Sequence, residues 1–143
     1  MERLRMGYRF LIISFVFMFL SGIYPTFKAK GESTPFEAKV SEDGVQRVDI
    51  TVDSYSFKPN HIIVIANKPV ELTLKSVTKV IPHNFTINHP EAGLSADKDI
   101  PHGKEVKVTF TPTKTGTFEF YCDKKFLFDS HKKKGMKGTL EVR

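Results

Sequence analysis

The chain has 143 residues, 40% apolar and 27% charged, which suits one ordinary domain behind a short leader and argues against a second domain. Its formal net charge of +6 comes mostly from the N-terminus, since residues 31–143 contain 17 basic and 15 acidic side chains. So mild a balance, without a basic helix or an aromatic-basic motif, sets nucleic-acid binding aside as a function.

Residues 1–29 have the pattern of an export signal. Arg3, Arg5 and Arg9 precede an apolar run at residues 10–24. A helix of this length spans roughly 22 Å, less than a hydrocarbon core about 30 Å thick. The pattern therefore favours a cleaved signal peptide, but no clear small-residue cleavage site follows, so membrane attachment through residues 10–24 stays open. Either way, we expect a periplasmic or other extracytoplasmic domain.

Residues 30–46 are polar and rich in turn formers, which predicts a linker before a domain at residues 47–143. From Val48 the chain alternates between apolar and polar residues, the period of a strand with one buried face. Residues 62–66 form a continuous apolar run, and the alternation returns in several further segments. We expect about seven short strands in two antiparallel sheets packed face to face, an all-β sandwich. Residues 88–104 are expected to form a loop with at most one helical turn.

The chain beyond the leader contains one cysteine, Cys122, and one methionine, Met136. A lone cysteine in an exported domain has no partner for an internal disulfide, so a buried apolar role or a ligand role remains. Cys122 shares the parity of the core-facing Phe118 and Phe120, and His131 and Met136 follow within one loop. Thiolate and thioether sulfurs favour Cu(I), and imidazoles accept Cu(II), so this donor set suits copper.

Three segments carry a resemblance to a known family. They are Pro82-His83-Asn84-Phe85, the strand GTFEFYC ending at Cys122, and His131 followed by Met136-Lys137-Gly138. Together they resemble the cupredoxin family of plastocyanin-like blue copper proteins over residues 48–143. The resemblance implies a Greek-key sandwich and one copper ion held by His83, Cys122, His131 and Met136. It also implies that Asn84 ties the two ligand segments together behind the metal.

The sequence departs from the family pattern in two places. Eight residues separate Cys122 from His131, where family members mostly have two to four, and Asp123 replaces a small or hydroxyl residue. A blue centre and an altered one, such as a red copper centre, therefore both remain open. His61, His89 and His102 are expected on the surface, and the latter two are the substitutes if His131 lies too far away.

The insert between Cys122 and His131 carries an apolar tip, Phe126-Leu127-Phe128, among lysines that include Lys132, Lys133 and Lys134. Two interpretations are open: a lid over the copper, or a docking surface for an acidic partner. We expect a monomer that is not an enzyme and carries single electrons between redox partners such as a cytochrome or an oxidase. A copper-holding or copper-delivery module, or a metal-free binding domain, are the alternatives.

Overall fold

The structure is a computed structural model that describes residues 34–126 and 128–143. Gly31–Arg143 make up one compact unit. The predicted leader, including residues 10–24, lies outside the described residues. Within the described ranges, no helix is long and apolar enough to cross a membrane.

Strands account for most of the described chain. In chain order they are β1 (Phe36–Glu37), β2 (Gln46–Asp53), β3 (Ser56–Lys58), β4 (His61–Val64), β5 (Val70–Ser76), β6 (His83–His89), β7 (Leu94–Ile100), β8 (Glu105–Phe110), β9 (Gly116–Tyr121), β10 (Lys125–Phe126), β11 (Asp129–Ser130) and β12 (Lys137–Val142). One 3₁₀ turn, Pro90–Ala92, lies between β6 and β7.

Two sheets build the predicted all-β sandwich. The larger has the order β1-β4-β12-β9-β6-β7, the smaller has the order β3-β2-β5-β8, and β10 and β11 form a separate hairpin. Both sheets are mixed rather than antiparallel, because β1 with β4, β12 with β4, and β2 with β5 pair in parallel. Alternation shows which face of a strand is buried, but it carries no information on the direction of the neighbouring strand. The sequence therefore could not reveal the parallel pairs.

The alternation that predicted the strands is confirmed by their burial. In β2 the residues Gln46, Val48, Ile50 and Val52 are buried, and the residues between them are exposed. In β5 every second residue from Val70 is buried in the same way. Side chains of a strand alternate between its two faces, so these residues line the interior between the sheets.

The prediction of a loop at residues 88–104 is wrong. β6 continues to His89, the 3₁₀ turn follows, and β7 then pairs with β6 in an antiparallel register from His83↔Ile100 to His89↔Leu94. β7 is an edge strand whose middle is charged, with buried apolar residues at its two ends. Charged side chains protect edge strands from pairing with other chains, and here they hide the alternation.

Short strands also raise the number of strands above the seven expected. β1 pairs with β4, although Phe36–Glu37 lies in the segment predicted as a linker. The next residue, Ala38, is buried in the core, and its N–H donates to the carbonyl of Ile63 at 2.9 Å. This segment therefore covers the free edge of β4 in the larger sheet.

Three phenylalanines pack against one another in the core. The ring centroids of Phe57 and Phe120 are 5.4 Å apart, those of Phe85 and Phe120 are 5.2 Å apart, and all three side chains are almost fully buried. Gly138 leaves the space for Phe120, because a Cβ there would overlap the Phe120 ring and lie 2.5 Å from the carbonyl oxygen of Asn60. Aromatic pairs of this geometry stabilise a core beyond their buried area.

We expect Phe120→Ala to lower the free energy of unfolding by about 3–5 kcal/mol, because the cavity lies between two other rings. Phe128→Ala is the matched control, since the Phe128 side chain is 99% exposed and its loss should change stability by less than about 0.5 kcal/mol. Urea unfolding of both variants measures the difference. Equal losses would contradict this description of the core.

Candidate metal centre

The register of the larger sheet brings the predicted ligands to one end of the sandwich. His83 begins β6, and Cys122 directly follows β9; the pairing Thr86↔Tyr121 sets these two antiparallel strands side by side. Met136 directly precedes β12, whose first residue pairs with Tyr121. Three strand ends that are not adjacent in sequence therefore meet at the same end of one sheet.

His83, Cys122 and His131 form a compact cluster there. One ligand atom from each of the three lies within 4.8 Å of the others, and Cys122 Sγ is 3.4 Å from His131 Nδ1. The two imidazole rings have centroids 5.1 Å apart. In the described part of the chain this is the one group of three or more His, Cys, Asp or Glu side chains with that proximity.

The chemistry of the cluster fits a metal ion. His83, Cys122, His131 and Met136 are each at most 1% exposed. Among the described residues, neither ring nitrogen of His83 has a hydrogen-bond partner, and Nε2 of His131 has none either. Leaving a buried polar atom unpaired costs about 1–3 kcal/mol, so an imidazole pair of this kind calls for a partner. A metal ion held by one nitrogen from each ring and by the sulfur would give His83 such a partner.

The main chain fixes Met136 to the other two ligands of its loop. The N–H of Met136 donates to the carbonyl of His131 at 2.9 Å, and the N–H of Cys122 donates to the carbonyl of Met136 at 3.1 Å. The Met136 side chain is fully buried. Its thioether and the Cys122 thiol are the two soft donors of the segment that also carries His131.

Burial disfavours the charged forms of the three side chains in the cluster. It raises the pKa of the Cys122 thiol, although the N–H of Asn84, which donates to Cys122 Sγ at 3.4 Å, acts in the opposite direction. Burial and the neighbouring His131 lower the pKa of His83 to about 4, and burial and Lys134 lower the pKa of His131. Neutral imidazoles are the form that binds metals, and a metal cation favours the thiolate.

Asn84 links the two ligand segments through its buried side chain. Its Nδ2 donates to Oδ1 of Asp123 at 2.8 Å and of Asp97 at 2.9 Å, and the N–H of Asp123 donates to Asn84 Oδ1 at 3.0 Å. Asn84 follows His83, and Asp123 follows Cys122. The unusual Asp123 therefore has a structural role, because its carboxylate completes a two-way contact between the two ligand segments.

The long insert between Cys122 and His131 folds back on itself. β10 and β11 form a hairpin, and the N–H of His131 donates to the carbonyl of Lys124 at 2.8 Å. This bond closes the base of the hairpin. The extra residues are therefore accommodated in the hairpin, and His131 still returns to Cys122.

The predicted docking residues have different environments. Phe128 is exposed, and Leu127 lies outside the described residues. Lys132 forms an ion pair with Glu119 at 2.6 Å, and its Nζ lies 3.8 Å from the centre of the Tyr121 ring. The Nζ of Lys134 lies 4.6 Å from the centre of the Tyr55 ring, and Lys133 is exposed. Because Phe128 is solvated, its side chain does not cover the cluster.

Tyr55 is a residue of the site that sequence reasoning missed. It lies in the turn between β2 and β3, and its ring packs edge-on against His131 with centroids 4.9 Å apart. Its sequence neighbours, Ser54 and Ser56, mark only a turn. The spare histidines stay outside the cluster: His61 is 3.2 Å from Glu141, His89 packs on Phe118, and His102 is exposed.

A β-sandwich with a buried imidazole and thiol cluster at one end defines a domain with a candidate metal centre. Residues 11–142 match the model of the cupredoxin-like domain family, and the chain therefore belongs to that family. This confirms the resemblance recognised in the sequence motifs. No curated protein sequence matches the chain.

Solved structures share the fold at low sequence identity. The metal binding domain of the Cu(I)-exporting P-type ATPase CopA of Streptococcus pneumoniae D39, solved with Cu(I), has a TM-score of 0.62 at 22% identity, covering 79% of this chain and 99% of that one. Auracyanin A, a "blue" copper protein of Chloroflexus aurantiacus, has a TM-score of 0.55 at 20% identity, and the match covers 70% of this chain and 100% of auracyanin A. The periplasmic domain of cytochrome oxidase subunit II of Bradyrhizobium japonicum has a TM-score of 0.53 at 16% identity, and the match covers 68% of this chain and 83% of that domain.

We expect the metal-free protein to lose stability as the pH falls from 7 to 5. The pKa of His83 is lower in the folded state, at about 4, than in the unfolded chain, so the unfolded state binds protons first and is favoured by acid. The loss from His83 is about 2 kcal/mol over this range. Urea unfolding with a chelator present measures it. His83→Gln should show a flatter profile, and an unchanged profile would contradict the argument.

We expect Asn84→Ala to lower the free energy of unfolding by about 1–3 kcal/mol, because it leaves the Asp123 N–H without its acceptor and removes the amide that donates to the Asp97 and Asp123 carboxylates. Asn88→Ala is the control, since Asn88 lies on the same strand with its side chain exposed. If thermal and urea unfolding show the same effect for both variants, Asn84 does not link the ligand segments.

Proposed function

We propose that this domain holds one copper ion on His83, Cys122, His131 and Met136 and carries single electrons between redox partners. The observation that supports the proposal best is the cluster itself: a lone buried thiol faces two buried imidazoles whose nitrogens have no other partner among the described residues. When bound, copper supplies a one-electron couple between Cu(I) and Cu(II).

The donor set favours copper over other metals. The Cys122 and Met136 sulfurs suit Cu(I), and the His83 and His131 imidazoles suit both oxidation states. Zinc sites of proteins rarely use a thioether, and magnesium and calcium prefer oxygen ligands. Membership of the cupredoxin-like family and the copper proteins among the structural neighbours agree with this choice.

The burial of the site favours electron transfer over delivery of copper or turnover of a substrate. All four side chains are at most 1% exposed, so no donor projects into solvent to hand the ion to another protein. Four protein donors also leave no open position for a substrate. Because His83, Cys122 and Met136 lie at strand ends of one sheet, and Asn84 ties the His83 segment to the Cys122 segment, these ligands can hold similar positions in both oxidation states.

The leader and the charges of the loop support a proposal for the setting of the reaction. We propose an extracytoplasmic monomer, with residues 10–24 acting as a signal peptide or as a membrane anchor. Its redox partner would be a cytochrome or an oxidase with an acidic surface, approaching the lysines of the loop at residues 124–134. The periplasmic domain among the structural neighbours supports this location by analogy.

Adding Cu(II) should give one tightly bound ion and an intense visible band from charge transfer between thiolate and copper. Cys122→Ser should abolish the band because it removes the thiolate, while His89→Gln should retain it, since His89 lies outside the cluster. Absorption and EPR spectra measure both, and they also distinguish a blue centre from an altered one.

Two results would contradict the proposal in different ways. A colourless protein that readily gives up Cu(I) to a chelator would indicate a copper-delivery module. A melting temperature that copper does not raise would indicate a metal-free domain, because a ligand that binds only the native state must stabilise it.

A further inference from the structure

The closed metal centre needs a route for electrons to the surface. The four proposed ligands are at most 1% exposed, so a redox partner cannot touch any of them directly. A side chain that contacts a ligand on one side and solvent on the other would provide the route. Tyr55 meets both conditions, because it is partly exposed and its ring lies edge-on to His131 at 4.9 Å.

The backbone holds Tyr55 in this place at a conformational cost. Its φ is +58°, in the left-handed region that bulky residues rarely adopt. Such strain persists only where the surroundings stabilise it, and it occurs often at functional sites. Here the ring also packs against the hydrophobic core, so the turn between β2 and β3 presents the aromatic side chain to His131.

Lys134 places a positive charge over the outer side of Tyr55. Its Nζ lies 4.6 Å from the centre of the ring and donates to the Tyr55 hydroxyl at 3.3 Å. Lys134 belongs to the same loop as His131 and Met136, and the adjacent Lys133 is exposed. Asp53 is the acidic residue near this end of β2, and it lies close enough to His83 to raise the pKa of that imidazole. The balance of these charges is positive.

We propose that electrons enter and leave the centre through the ring of Tyr55, and that an acidic redox protein docks over Tyr55 and Lys134. This inference rests on the proposed electron-transfer function. The electron tunnels between His131 and the partner through the aromatic edge, and the phenol keeps its proton and is not itself oxidised. With copper bound, the one electron lost by Cu(I) would reduce the partner, and no further reactant would be needed.

Two other surfaces near the centre are less suited to electron transfer than Tyr55. The hairpin tip carries the exposed Phe128, but no contact joins Phe128 to a proposed ligand among the described residues. A cleft of about 190 Å³, lined by Pro82, His83, Ile100, Pro101 and His102, reaches His83 from the other side. The cleft is lined by the exposed imidazole of His102, whereas the ring that pairs with His83 is that of His131.

The first test uses the metal-free protein. Hexacyanochromate(III), an inert paramagnetic trianion, broadens the amide NMR signals of the surface that it binds. We expect broadening centred on Tyr55 and Lys134, lost in Lys134→Glu and retained in Lys114→Glu, which reverses a charge before β9, at the opposite end from Cys122. Broadening centred instead on Phe128 or on His102 would overturn the proposed docking surface.

The second test follows electron transfer in the copper-loaded protein by stopped flow. Hexacyanoferrate(III) oxidises Cu(I) to Cu(II) and becomes hexacyanoferrate(II). At low ionic strength, Lys134→Glu should slow this reaction several-fold and accelerate oxidation by the cationic tris(phenanthroline)cobalt(III), because charge at the contact steers encounter. Lys114→Glu should leave both rates almost unchanged. Equal effects of the two substitutions would contradict the assignment.

The third test separates the ring from its hydroxyl. Electron self-exchange, measured by NMR line broadening in mixtures of the two oxidation states, should fall several-fold in Tyr55→Leu and be nearly retained in Tyr55→Phe. The visible band and the reduction potential report whether the copper site is intact in each variant. An intact Tyr55→Leu site with undiminished self-exchange would overturn the role of the ring. Absence of the band in the unmodified protein would instead refute the proposed function.

Should Tyr55→Leu fail to fold or to bind copper, the two charge-reversal tests still decide the docking surface. Tyr55→Phe then gives a further measurement, because it removes the contact between the hydroxyl and Lys134 while it preserves the ring. Retained anion binding and retained self-exchange in Tyr55→Phe support the proposal. A loss of self-exchange in Tyr55→Phe with an intact band would overturn it, since tunnelling through the ring does not need the hydroxyl.

Discussion

The candidate site depends on one constraint, the antiparallel pairing of β6 with β9 and of β9 with β12. These registers put the first residue of β6, the residue after β9 and the residue before β12 at one end of the larger sheet. Their side chains, His83, Cys122 and Met136, carry one imidazole and both sulfurs of the domain. Without the pairing, the thiol and the imidazoles would be isolated buried polar groups, each unfavourable where it stands.

The same pairing explains the arrangement around the ligands. Phe85 and Phe120 lie two residues inward from His83 and Cys122, so the side chains just below the cluster form the aromatic core, and Gly138 leaves room for Phe120. One layer further out, Asn84 joins the two ligand segments through Asp123. A metal site keeps its geometry when a packed apolar core supports the ligands from below and hydrogen bonds orient them from the side.

The outer covering of the site has a different origin. Tyr55 comes from the smaller sheet, from a turn far from the other site residues in sequence, and the segment between His131 and Met136 contributes Lys134 from the other side. The hairpin of the insert projects Phe128 into solvent and closes its base at Lys124 and His131. The site is thus enclosed by both sheets. Because the ligands are covered, electrons would have to reach them through an intervening side chain and not by direct contact with a partner.

The sequence by itself determined the family, the donor types and their order, and the burial of most strands, because ligand chemistry and side-chain alternation are local properties of the chain. Only the tertiary structure decided which strands run parallel, that residues 94–100 form a charged edge strand, and that Asp123 contacts Asn84. It also decided that eight residues between Cys122 and His131 are compatible with a compact cluster, and that Tyr55 covers His131. Each of these depends on contacts between segments distant in sequence, where strand pairing and packing select one partner among many that the local pattern allows.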